Sequence, residues 1–212
     1  MQNTDFDHHA WAWEVSQRAF ADAADLFVRS VGLVAGRWGL PGLGEWDVRA
    51  LVGHTSRCLL TVETYLTRPA AGVEVPSAPA YYLATRQLAA GAEVAQRGRD
   101  AGAALGGDPP AAVTRIADRV LPVVAACDGS ELVTTIAGGM RLADYLPTRT
   151  FELTVHTADL AVALGLPLEP PATASRQALH LVAELAIQDG TASRLLLGAT
   201  GRGGLPAGYT VL

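Results

Sequence analysis

Glu152 and His156 stand four residues apart in the segment RTFELTVHTADLAVALG. On a helix, at about 100° per residue, both side chains leave one face about one turn apart, and a carboxylate and an imidazole so placed can grip one ion. A second histidine, His54, is flanked by Leu51, Val52, Leu59 and Leu60, so on a helix it should point toward an apolar interior. Two imidazole nitrogens and a carboxylate oxygen would supply three protein ligands. At least one coordination position would stay open for water or a substrate thiol, as in catalytic rather than structural zinc sites. Plainer uses exist for each residue. An E-x-x-x-H pair also makes a salt bridge or surface pair, and a lone histidine among apolar neighbours is commonly a satisfied core residue. Spacing alone leaves both readings open.

Other reactive side chains lie near these three in sequence. Cys58, four positions beyond His54, is either a soft ligand or reactive thiol in the same pocket, or a small buried core residue. Asp159, three after His156, can accept the second imidazole N–H and fix the tautomer, or face solvent. Arg149 can pair with Glu152 across three residues, or serve an anion or a neighbouring helix. His8, His9 and His180 carry no comparable pattern.

The elements that must position these residues read as helices. Apolar residues recur at three- and four-residue spacing, and the fold class is mainly α. A first helix is expected over about 10–35, with Trp13, Phe20, Ala24 and Phe27 on one stripe, ending at GRWGLPGLGEW. Asp47 is a plausible N-cap for a second helix that continues through VRALVGHTSRCLLTVETYL. A third, Ala-rich segment spans about 79–104 with Gly91 and Gly98 as weak points, and a fourth runs to about Ala126 with Pro110 in its first turn. Four such long helices make a bundle. ELVTTIAGGMRL, β-branched and then Gly-Gly, reads as an extended arm or small hairpin. A fifth helix follows, with Pro147 near its start and Gly165 past its end. After the PLEPPATAS linker one more helix fits RQALHLVAELAIQDG, and the tail is at most a small, partly β appendage.

Composition narrows the function classes. With 212 residues, half of them apolar, the chain can bury a substantial core. Net charge is -5 and the 16 basic residues are scattered, which removes the electrostatic footprint of a nucleic-acid binder. Two cysteines cannot make a secreted-type disulfide framework, and no signal-peptide pattern or long apolar run is present, so a cytoplasmic protein that neither crosses nor binds membrane is expected. No G-x-x-x-x-G-K-[ST], G-x-G-x-x-G or C-x-x-C-H motif points to a nucleotide, flavin or haem.

The segments EWDVRALVGHTSR and RTFELTVHTADLAVALG together resemble the mycothiol-dependent maleylpyruvate isomerase family, within the DinB-like superfamily of metal-binding four-helix bundles. The family pattern falls here on Trp46, His54, Arg149, Glu152, His156, Asp159 and Leu160, and the closing LLLGATGRGGLPAGYTVL is similar to the C-terminal segment of such proteins. The resemblance implies a DinB-like up-down bundle over 1–166 and a short C-terminal helix with an extended α/β appendage over 167–212. It implies that His54, Glu152 and His156 hold a divalent metal, zinc ahead of iron or nickel. It also implies that mycothiol or another low-molecular-weight thiol approaches the open position as cosubstrate. In the isomerase a C-terminal arginine assists catalysis, and Arg202 in the TGRGG turn is the corresponding residue.

The leading expectation is therefore an enzyme, a thiol S-transferase or a thiol-assisted cis-trans isomerase acting on a small electrophile. In an isomerase the thiolate would add to a conjugated double bond, the bond would rotate, and elimination would leave the trans isomer. Two alternatives use the same ligands: a non-haem iron enzyme, or a non-catalytic metal-binding module of a biosynthetic or stress-response pathway. Expected partners are the small-molecule substrate and the thiol, with the chain a monomer or homodimer.

Overall fold

The computed structural model describes residues 12–86 and 92–212; His8 and His9 lie outside them, as do Gly91 and the junction in the expected 79–104 helix. α1 (Trp13–Gly32) and α2 (Val48–Leu66) correspond to the first two expected helices. Asp47 caps α2, its carboxylate accepting the Ala50 N–H at 2.7 Å. The Ala-rich segment is described as α3 (Ala78–Thr85) and α4 (Ala92–Ala104). α5 (Pro109–Ala125) starts with Asp108 as cap and two prolines in its first turn, where a missing N–H costs nothing. The expected hairpin is β1 (Leu132–Thr135) paired antiparallel with β2 (Gly138–Arg141), Leu132 opposite Arg141 and Thr135 opposite Gly138.

α6 (Leu142–Leu164) needs no side-chain cap, because its first N–H groups reach back to the carbonyls of Glu131 and Gly129. α6 runs on through Pro147, its sixth residue, with the one backbone bond that Pro147 cannot donate missing, and Gly165 closes it in the left-handed conformation at φ 65°. α7 (Ala172–Gln188) starts four residues before the expected RQALHLVAELAIQDG. Ala174 is fully buried there and Thr173 donates to Asp22 on α1 at 2.5 Å, so tertiary contacts draw the end of the linker into the helix. α8 (Ala192–Ala199) and an extended tail complete the chain. The fold is mainly α with one small two-stranded sheet, and that sheet lies ahead of α6.

Helix contacts form a closed ring: α1 packs on α6, α6 on α2, α2 on α5 and α5 on α1. The fourth member is thus α6 rather than the Ala-rich segment. α6 buries Tyr145, Leu146, Phe151, Leu153 and Leu160, whereas α4 has little apolar bulk to offer a core. α4 packs instead on the outside of α2 through glycines. A Cβ on Gly53 would lie 2.1 Å from the Gly102 backbone nitrogen, and one on Gly98 would lie 2.5 Å from Nε1 of Trp46. Ring order also departs from chain order. α1 and α2 sit across the bundle diagonal, as do α5 and α6, and the intervening loop and hairpin carry the chain across. α7 covers α1 and α6, and α3 packs on α6 and α7.

Candidate metal centre

The ring places α2 beside α6, so the inner stripe of one faces that of the other. Both stripes are partly polar. On α6 the buried hydroxyls of Thr148, Thr150, Thr154 and Thr157 donate to carbonyls of their own helix, which lets a polar helix face sit inside the bundle without orphaned groups. Among those threonines stand Glu152 and His156, and opposite them stands His54 on α2. Each of the three offers a ligand atom, and these atoms all lie within 4.8 Å of one another. Ligands about 2.1 Å from a common tetrahedral ion would be roughly 3.4 Å apart, so small side-chain rotations bring the set into range.

Electrostatics at the three residues suit a cation. Burial, reinforced by the positive charge of His156, lowers the His54 pKa to about 4, so His54 is neutral near pH 7 and its lone pair is free. His54 Nδ1 is buried with no hydrogen-bond partner among the described residues. A sealed imidazole nitrogen without a partner is costly unless something electrophilic faces it. His156 is tuned the other way. Burial opposes its charge, but hydrogen bonds to Asp159 and Glu152 outweigh burial and raise its pKa to about 9. Its Nε2 lies 3.0 Å from Glu152 Oε2 and its Nδ1 3.1 Å from Asp159 Oδ2. Glu152 is held well below the usual carboxylate range: burial opposes this, and the His156 hydrogen bond and the Arg149 charge overcome it. The hydrogen bond between His156 and Glu152 thus joins two of the three groups that would hold an ion.

The surrounding side chains hold the three in place. Trp46 lies against the His54 ring with centroids 4.4 Å apart, and its own Nε1 donates to Ala95 O on α4 at 3.0 Å. α4 thereby fixes the lid on His54. Asp159 accepts the Nδ1–H of His156, which turns Nε2 toward the centre. Tyr82 on α3 donates its hydroxyl proton to Glu152 Oε1 at 2.7 Å. Nothing in the sequence pattern singled out Tyr82. Its partner is 70 residues away, and only the packing of α3 on α6 brings them together.

The other candidates separate. Cys58 is a buried core residue outside the three-ligand cluster, and burial pushes its thiol up to about 12. Arg149 does not pair with Glu152; its guanidinium lies over the rings of Tyr81 and Tyr145. Arg202 is exposed in the turn after α8, a helix that packs on α7. His180 is exposed on α7.

Residues 17–161 match the family model described as the mycothiol maleylpyruvate isomerase N-terminal domain. The chain belongs to this family. Comparison with curated proteins and with solved structures returns no match. The span matched by the mycothiol maleylpyruvate isomerase N-terminal domain begins in α1 and closes near the end of α6, so it contains Trp46, His54, Arg149, Glu152, His156 and Asp159. α7, α8 and Arg202 lie beyond it. Among the described residues, no helix is long and apolar enough to cross a membrane.

Proposed function

We propose that this chain holds one divalent ion, zinc ahead of iron or nickel, through His54, Glu152 and His156. Beside it a low-molecular-weight thiol of the mycothiol type is activated for S-transfer or for isomerisation of a small electrophile. The observation that carries this reading is the convergence of three ligand atoms from two neighbouring helices, one of them from an imidazole whose Nδ1 is buried with no partner among the described residues. The family match supplies the thiol chemistry. An ion bound there supplies the Lewis acidity that ionises a thiol, ordinarily of pKa about 8.5, at neutral pH.

The chain's own residues prepare for that chemistry. His54 is kept neutral by burial and presents a lone pair without first losing a proton. Asp159 holds the Nδ1 proton of His156, so that Nε2 faces inward. Tyr82 occupies one oxygen of Glu152 and leaves the other for the centre. Trp46 shields one side of His54 from water.

The test is cobalt(II) substitution followed by titration with mycothiol or a cysteinyl mimic. Wild-type protein should develop intense sulfur-to-cobalt absorption together with proton release, and His156→Ala should not. His54→Ala, Glu152→Ala and His156→Ala should each lose most bound metal while keeping their helical signal. An unchanged spectrum at saturating thiol would remove thiol activation from consideration.

A further inference from the structure

Arg149 projects from α6 three residues before Glu152, and its charge acts on His54, Cys58 and Glu152. The guanidinium carbon lies 5.4 Å from the Tyr81 ring centroid and 5.1 Å from that of Tyr145. Its one hydrogen bond to a described residue runs from Nε to Thr148 Oγ1 at 3.0 Å. No carboxylate of the described residues is within ion-pair distance, because Glu152, the nearest acidic residue in sequence, is engaged by His156 and Tyr82. A guanidinium has five N–H donors in a planar fork. Four of them, on the two terminal nitrogens, make no bond to a described residue, and those nitrogens are not sealed from solvent. Two tyrosine faces therefore hold a cation in place while its donor edge stays open.

A largely enclosed cation without a counterion is unfavourable, and aromatic faces compensate it only in part. Such an arrangement persists most readily where an incoming anion completes it. Three residues along a helix is about 4.5 Å of rise, so a ligand of only a few carbon atoms can reach both Arg149 and the three-ligand centre. We propose that Arg149 is the anion-docking group of this site: its open fork receives a carboxylate of the small molecule whose reacting atom is held at His54, Glu152 and His156. This rests on the metal-and-thiol reading above and extends it. It places the carboxylate contact inside the bundle, on α6. Tyr81 and Tyr145 are positioning residues in this scheme, restricting the fork so that little side-chain freedom is lost when the carboxylate arrives.

The test uses short bifunctional probes on the cobalt-loaded protein: mercaptoacetate, 3-mercaptopropionate and 4-mercaptobutyrate, each against its uncharged amide. At one chain length the acid should bind about tenfold or more tighter than the amide, the scale of a charge-assisted bidentate contact. Arg149→Met should abolish that preference while leaving amide affinity within about twofold. Arg149→Lys should restore part of it, since a point charge replaces the fork. Thermal melting separates docking from a structural role. Arg149→Met should be at least as stable as wild type, because an uncompensated cation has been removed. Equal binding of acid and amide by wild type, or a preference that survives Arg149→Met, overturns the proposal, as does destabilisation with discrimination unchanged. If no thiol perturbs the cobalt spectrum, the metal-and-thiol reading fails on its own. Calorimetry of succinate binding to the metal-free protein then decides for Arg149: binding lost in Arg149→Met supports docking, and no binding refutes it.

Discussion

At the residue scale, the site is a set of opposed electrostatic settings on chemically similar groups. His54 and His156 are both imidazoles enclosed by the bundle, yet one is held neutral and the other protonated to about pH 9. The difference is the pair of carboxylates on His156. An ion must displace the His156 proton while finding His54 already neutral, so below about pH 9 its apparent affinity should fall roughly tenfold per pH unit. Near pH 7 to 8, calorimetry in buffers of different ionisation enthalpy should find about one proton released per ion. Release of none would mean that His156 is not a ligand. Tyr82→Phe should weaken metal binding by about tenfold to a hundredfold, as loss of an outer partner does, without changing that proton count. The sequence made Glu152, His156 and Asp159 legible because a helix converts their spacing directly into proximity. It made His54 legible through its apolar flanks. Tyr82 was hidden because no local pattern encodes a partner on another helix.

At the scale of elements, the contact between α2 and α4 depends on glycines, and this reverses the usual effect of glycine replacement. An alanine in a helix is ordinarily favoured over glycine by about 1 kcal/mol. At Gly32, where nothing lies within 4 Å of an added Cβ, Gly32→Ala should raise the melting temperature slightly. At Gly53 the same change drives a methyl group into the Gly102 backbone, and overpacking of this kind costs about 1 to 3 kcal/mol. Gly53→Ala should therefore lower the melting temperature. It should also weaken metal binding, because α4 carries the Ala95 carbonyl that anchors Trp46 over His54. Equal shifts of the same sign in both variants would refute this account of the interface. Helix positions were readable from periodicity and caps at Asp47, Pro110 and Gly165, but the role of α4 was not. Its sequence gives a weak apolar stripe, and close backbone approach leaves no signature beyond glycines that read equally well as weak points.

At the scale of the whole molecule, periodicity foretold a bundle without specifying which helices adjoin. The apolar stripe of α1 says that Phe20, Ala24 and Phe27 are buried, and they are, but not that they meet α6 rather than α2. Neighbour order was set by the crossing loop and hairpin, whose paths depend on tertiary contacts such as those of β1 with the end of α2. The diagonal placement of successive helices has a temporal consequence. In this ring α1 and α2 share α5 and α6 as neighbours, and the second of these arrives only after the chain beyond Arg141 has been made, so the contacts that close the ring are of long range. A chain ending at Arg141 should lack cooperative unfolding by calorimetry, and a cooperative transition in it would show that α6 is dispensable. Emerging from the ribosome, the protein would carry a half-built coordination sphere with His54 alone, unable to retain an ion. If the proposed site holds an ion, loading must then wait until α6 has been made and has closed the ring.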